Sequence, residues 1–165
     1  SHASIMRNVL DRVPGVARLV QVGIRDFCEE EVECAARAAG RVEVFYDTDL
    51  ARRQYAGEPW GAIVPGIVAA LPRDVWISFD IDALDPRLCP HTGTPVPGGL
   101  DFNQAAFLVA AVVRSGRRIV GFDLNEVAPG PDGEWDANVG ARLLYKLSAW
   151  ALVSRGWRVS RQEPR

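Results

Sequence analysis

Ser78-Phe79-Asp80-Ile81-Asp82-Ala83-Leu84-Asp85-Pro86 is the stretch from which the rest of the chain can be read. The residues leading into it, Asp74-Val75-Trp76-Ile77-Ser78-Phe79, are β-branched and aromatic and follow Leu71-Pro72-Arg73, so they read as a buried strand. Strand side chains alternate, which places Asp80 and Asp82 on one face and Phe79 and Ile81 on the other. Two carboxylates held ~7 Å apart on one face repel unless a cation lies between them. Pro86 and the Gly-, Pro- and Thr-rich loop from Arg87 to Leu100 then end the strand and fold chain over the carboxylates. The pattern points to a divalent-metal site at the carboxyl end of a strand in an open α/β sheet. Hard carboxylate oxygens suit Mn²⁺ or Mg²⁺. Asp85, directly before Pro86, reads as a turn-former rather than a ligand.

Working outward, apolar runs at Leu19–Ile24, Val42–Tyr46 and Arg118–Asp123 add three strands. Between them lie helical patterns. One runs from Ser4 towards Pro14, and a second ends at Ala39 after an Asp26-x-x-Glu29 capping box. Others cover Leu50–Tyr55 and Trp60–Leu71, then Phe102–Arg114 capped by Asp101, and finally about Trp135–Val153. Strands alternating with helices imply an α/β fold, a parallel sheet with helices on both faces. The 165 residues are expected to form a single α/β domain, 1–165. Four strands make a thin doubly wound sheet, which suggests part of a larger one.

With 48% hydrophobic and 24% charged residues the chain is of ordinary globular type, and a net charge of −2 gives no basis for nucleic acid or an anionic membrane as partner. No apolar run reaches the ~18 residues of a membrane span. There is no secretory signal, and the three cysteines, Cys28, Cys34 and Cys89, lack metal-type spacing, so free thiols and a cytoplasmic location are expected.

A second motif, Asp123-Leu124-Asn125-Glu126-Val127-Ala128-Pro129, ends its strand as the first does and should face the same cleft. Glu126 is a candidate for binding a cationic substrate, because a carboxylate pairs bidentately with a planar guanidinium. His91, in Cys89-Pro90-His91-Thr92-Gly93-Thr94, is open to three readings: metal ligand, substrate contact or ordinary loop residue, the last being favoured. Cys89 has no basic neighbour in sequence and reads as structural.

Taken together, SFDIDALDP, then TGTPVPGGL, then GFDLNEVAP resemble the signature of the ureohydrolase family, which comprises arginase, agmatinase, guanidinobutyrase, formimidoylglutamase and relatives. The match covers most of the chain in the same order, including SHA and VQVGIR near its start. The resemblance implies an arginase-like three-layer fold, of which this chain is the C-terminal portion. It implies a binuclear manganese centre, two Mn²⁺ per intact site, with Asp80 bridging the metals and Asp82 a ligand of one. It makes Glu126 the holder of the substrate's guanidinium-type group. His2, where relatives carry a Ser-His-Gly segment, becomes the catalytic proton shuttle, although Ala3 replaces the glycine. His91 stands where relatives usually carry a small or amide residue, and would mark a specificity subgroup.

The family's upstream ligand segments, of G-G-D-H and D-x-H-x-D type, are absent. The resemblance therefore implies a chain inactive alone, within a metal-dependent hydrolase of linear amidines. Its substrate would be a small cationic guanidino or formimino compound, with an agmatinase-like reaction giving urea plus an amine, and the Gly130–Asn138 turn leans towards the agmatinase or formimidoylglutamase side. Formimidoylglutamase or a guanidino-acid hydrolase is the alternative within the family, and a trimeric or hexameric homo-oligomer is its usual assembly. A non-catalytic subunit of this fold is the alternative outside it. A haloacid-dehalogenase-like phosphatase would need a phosphate-binding lysine, and the only lysine, Lys146, lies deep in the last helix. A metal-dependent glycosyltransferase leaves Thr92–Gly99 and Glu126 unexplained.

Overall fold

Leu19–Ile24 (β1) and Val42–Tyr46 (β2) pair in parallel, Leu19 opposite Val42 and Val22 opposite Phe45. Asp74–Asp80 (β3) and Arg118–Asn125 (β4) form a second parallel pair, Asp74 opposite Arg118 and Asp80 opposite Asn125. The structure is a computed structural model that describes residues 4–38, 40–131 and 133–157. Its helices are α1 (Ile5–Arg12), α2 (Glu29–Arg37), α3 (Asp47–Tyr55), α4 (Trp60–Ala69), α5 (Phe102–Arg114) and α6 (Trp135–Ser154). The expected α/β architecture with parallel strands holds. The strands form two two-stranded sheets rather than one continuous sheet. Among the described residues no ladder joins β1 to β3.

One face of β3–β4 is packed. Val75 and Ile77 cluster with Val64, Val68 and Val112. Ile119, Phe79 and Phe122 cluster with Val109 of α5 and Leu147 of α6. Burying such side chains stabilises by about 1.5–3 kcal/mol each. The other face stays open to solvent among the described residues, where Trp76 is 62% exposed. There Trp76 lies over Gly121, whose missing side chain makes room for the indole, and donates through Nε1 to Asp123 at 2.6 Å. Ser78 donates to the same carboxylate at 2.7 Å. A parallel strand covered on both faces would read as continuously apolar; the alternation in β3 records one open face.

Two local expectations shift. Helix α2 is capped by Cys28, with Glu31 accepting from the Cys28 N–H at 2.9 Å, rather than by Asp26 with Glu29. Three successive glutamates offer that acceptor in several registers, so the pattern alone leaves the cap undetermined. By contrast α5 starts where expected, Asp101 accepting from Gln104 N at 2.6 Å and Gln104 returning to Asp101 N at 2.9 Å. No described helix is long and apolar enough to cross a membrane.

Candidate metal and substrate site

Strand β3 ends at Asp80, one residue before the turn that carries Asp82. Ile81–Ala83 is a single 3₁₀ turn, so the two carboxylates do not share a strand face as the alternation predicts. Ile81 and Leu84, both 0% exposed, plug the core on either side of Asp82 and force the chain to turn there. The turn brings the Asp82 N–H back onto Asp80 Oδ1 at 3.0 Å. Burial pushes the Asp80 carboxyl up to about 6; the Asp82 N–H opposes this, and the charges of Asp82 and Glu126 add to it. Three carboxylates thus share one electrostatic neighbourhood, as the two strand-end motifs imply.

Glu126 follows Asn125, the residue paired with Asp80 across the ladder, so it leaves β4 beside the aspartates. Its φ of 61° lies in the left-handed region, a conformation that costs a non-glycine residue on the order of 1 kcal/mol. The loop after β3 holds it there. Thr92, 5% exposed, donates from Oγ1 to the Glu126 carbonyl at 3.1 Å. A Cβ on Gly93 would stand 3.1 Å from Glu126 Oε2, so glycine allows this close approach. Thr94 Oγ1 lies 3.4 Å from Asp82 Oδ2, a weak donor to the second carboxylate.

Two residues that sequence reasoning left without a role seat this loop. Arg25, just beyond β1, donates through Nη2 to the carbonyls of Asp82 (2.5 Å), Leu84 (3.2 Å) and Val96 (3.0 Å). Asp47, at the start of α3, accepts from Gly99 N at 3.2 Å. Any Cβ on Gly99 would meet the Leu84 carbonyl at 2.7 Å, so the second glycine of the pair is sterically required. The motif VQVGIR carried the only signal for Arg25; Asp47 carried none.

Asp85 forms a turn, accepting from Arg87 N at 2.9 Å and from its guanidinium. Cys89 is structural: 1% exposed, it donates to the Ile81 carbonyl at 3.2 Å, and burial first, then Asp136, pushes its thiol up to about 11. His91 contacts the buried Asp136 through both its backbone and its ring. His2 lies outside the described residues.

The donor chemistry fits a hard divalent cation in part. Asp80 and Asp82 offer carboxylate oxygens, and burial first, with the charges of Asp82 and Glu126 adding to it, raises the Asp80 carboxyl. Among the described residues, however, no group of three or more His, Cys, Asp or Glu side chains is placed to hold a metal ion.

The sequence matches the profile described as Arginase family over residues 1–149. It is 36% identical over 140 residues to an N(1)-aminopropylagmatine ureohydrolase of Thermus thermophilus, covering 84% of this chain and 44% of that protein. It is 40% identical over 132 residues to the agmatinase of Sodalis glossinidius, covering 79% of this chain and 38% of that protein. Among solved structures, the agmatine ureohydrolase of Thermoplasma volcanium superposes with a TM-score of 0.74 at 26% identity, covering 96% of this chain and 50% of that one. The proclavaminate amidino hydrolase of Streptomyces clavuligerus gives 0.71 at 27% identity, covering 92% and 48%. The chain spans about half the length of the curated relatives it matches.

Proposed function

The chain belongs to the arginase family, and on that premise we propose that it supplies one half of an amidine-hydrolysing site, with an agmatine-like guanidine as substrate. The observation that carries this reading is the meeting of Asp80, Asp82 and Glu126 at the ends of β3 and β4, where burial first, and then the charges of Asp82 and Glu126, raise the Asp80 carboxyl. The names of the relatives, agmatinase and aminopropylagmatine ureohydrolase, support a guanidine substrate released as urea and an amine.

Asp80 and Asp82 would hold two Mn²⁺ ions together with ligands from outside these 165 residues. When bound, such a pair supplies a water made nucleophilic at neutral pH. Glu126 receives two N–H groups of the guanidinium in a bidentate pair and fixes the plane of the carbon to be attacked. Its left-handed backbone, clamped by Thr92, fixes the carboxylate before substrate arrives. His2 would carry the proton to the leaving amine. We place the assembled protein in the cytoplasm as a homo-oligomer.

Two carboxylates alone bind a divalent ion weakly, so the 165-residue chain is expected to be inactive. Urea release and manganese content of this chain, measured by a coupled assay and elemental analysis, test that statement. Robust manganese-dependent turnover by the chain alone overturns it. In an active assembled form, Glu126→Ala removes turnover with metal retained; near-normal kinetics would remove the role given to Glu126. An assembled form that holds no metal and turns over no amidine would favour a non-catalytic subunit instead.

A further inference from the structure

The proposed reaction makes no use of Asp136, in the first turn of α6. The residue is 1% exposed, and a carboxylate is buried only where its partners offset the lost hydration. Two of those contacts are to one residue of the loop after β3. Oδ1 accepts from the His91 backbone N–H at 2.8 Å, and Oδ2 lies 3.0 Å from His91 Nδ1. The residue after His91 is Thr92, whose hydroxyl donates to the Glu126 carbonyl at 3.1 Å, and Gly93 lies against the Glu126 carboxylate.

The turn after β4 reaches the same face of α6. Gly140 is buried one helical turn beyond Asp136, and a Cβ on it would stand 2.8 Å from Val127 Cγ1. Residues four apart lie on one helix face. Val139 and Leu143 join Ile81 in a buried cluster against which Val127 packs, and this seats the start of α6. One helix therefore meets both segments that converge on Glu126. Asp136 takes the loop that carries Thr92, and Gly140 takes the residue after Glu126. A left-handed backbone outside glycine persists only where its surroundings hold it, and Thr92 can hold Glu126 only while its own loop is fixed.

We propose that Asp136 is a positioning residue for Glu126: through the His91 backbone N–H it fixes residues 91–93, and through Thr92 the left-handed turn that presents the Glu126 carboxylate. The route runs through the main chain, so it is the same whichever ring nitrogen of His91 carries the proton. The proposal rests on the reading of Glu126 as the guanidinium anchor.

The test uses the ¹³C,¹⁵N-labelled 165-residue chain and reads Glu126 directly, through the one-bond Cα–Hα coupling that separates positive from negative φ. Asp136→Ala should move Glu126 out of the left-handed region in a chain that is still folded. It should also weaken agmatine binding, followed at the Glu126 amide, by about tenfold, the worth of one charge-assisted hydrogen bond. Asp136→Asn keeps an acceptor for the His91 N–H and should restore both readings. His91→Ala keeps that N–H and should leave both as in the wild type. Thr92→Val cuts the same route further along with the buried carboxylate intact. It should move Glu126 as Asp136→Ala does, and it supplies the reading if Asp136→Ala does not fold. A positive φ kept at Glu126 in either folded variant overturns the proposal, whatever stability is lost, since Asp136 would then serve the fold alone. His91→Ala matching Asp136→Ala would overturn the main-chain route. The φ reading needs no ligand: if the variants move Glu126 while agmatine leaves the wild-type amide unchanged, the anchor reading falls and the positioning stands.

Discussion

The Thr92 hydroxyl donates to the backbone carbonyl of Glu126 at 3.1 Å, and so ties the loop after β3 to the turn after β4 at the one described non-glycine residue with positive φ. Left-handed backbone at a carboxylate with a proposed binding role is strain stored where it is used. Glu126→Gly removes that strain and should stabilise the fold by about 1 kcal/mol relative to Glu126→Ala, since only glycine adopts this conformation freely. Urea denaturation of the two variants checks the difference. Equal midpoints would show that Thr92 does not hold the turn against a preference of its own.

Gly93→Ala should separate stability from function at the same contact. The added Cβ would meet Glu126 Oε2 at 3.1 Å, the far end of a flexible side chain, which can yield by a few tenths of an ångström. Stability should therefore change by less than about 1 kcal/mol. Agmatine affinity should fall at least about tenfold, because the carboxylate is displaced from its bidentate geometry. Paired denaturation and titration measurements decide. Unchanged affinity with unchanged stability would mean that the close approach does not orient Glu126.

Asp80 gives the fold a pH dependence of definite sign. Its carboxyl sits at about 6 in the folded chain against an ordinary 3.8. Between those values the folded state holds a proton that the unfolded state has lost. The contribution is therefore full below 3.8 and disappears as pH rises through about 6. Solvent screening at this half-buried site reduces it to on the order of 1 kcal/mol. Asp80→Asn should flatten the stability profile between about pH 4 and about pH 7. Mn²⁺ should stabilise the wild type more at about pH 7 than at about pH 4, since a cation favours the ionised form. The same slope in Asp80→Asn would assign the pH dependence to another group.

The parts of this molecule legible in the sequence are those set by short-range chemistry. Val75, Ile77 and Phe79 announce β3, and Asp101 with Gln104 announces α5, because strand burial and helix capping act within a few residues. Asp80 and Glu126 were legible as strand-end carboxylates for the same reason. The shared face expected for Asp80 and Asp82 fails because Ile81 and Leu84 find the core by turning the chain, a choice made by packing rather than by pleat. Arg25 and Asp136 act on partners 57 and 45 residues away, and no local pattern encodes such a pairing. The division of four strands into two pairs is likewise a property of neighbours, and the individual apolar runs carry no trace of it.

Cys89 and Cys28 should differ sharply in reactivity. Cys89 is 1% exposed and its thiol is pushed up to about 11, first by burial and then by Asp136, so almost no thiolate forms at neutral pH. Cys28 is exposed at the start of α2, and although its contact with Glu30 raises its thiol as well, a reagent can reach it. Iodoacetamide with mass spectrometry should therefore modify Cys28 readily and leave Cys89 untouched until the chain unfolds. Early loss of Cys89 would indicate that the loop from 85 to 100 opens without global unfolding.

Opening of that loop is what Arg25 prevents. Its planar guanidinium reaches three carbonyls, those of Asp82, Leu84 and Val96, from one side chain. A lysine ends one bond short of Nη2 and lacks both the Nε–H that donates to Val96 at 3.1 Å and the Nη1–H that reaches the Gly23 carbonyl at 3.4 Å. Arg25→Lys should therefore cost about 2 kcal/mol, the worth of roughly one hydrogen bond from a charged donor. The larger consequence should be local: hydrogen exchange across residues 82–99 should accelerate more than exchange in β4. Cys89 alkylation should rise in parallel, because Cys89 lies inside the released segment and donates to the Ile81 carbonyl. If exchange quickens evenly throughout the chain, Arg25 contributes to the fold as a whole and has no special hold on the loop that carries Asp82 and leads to Glu126.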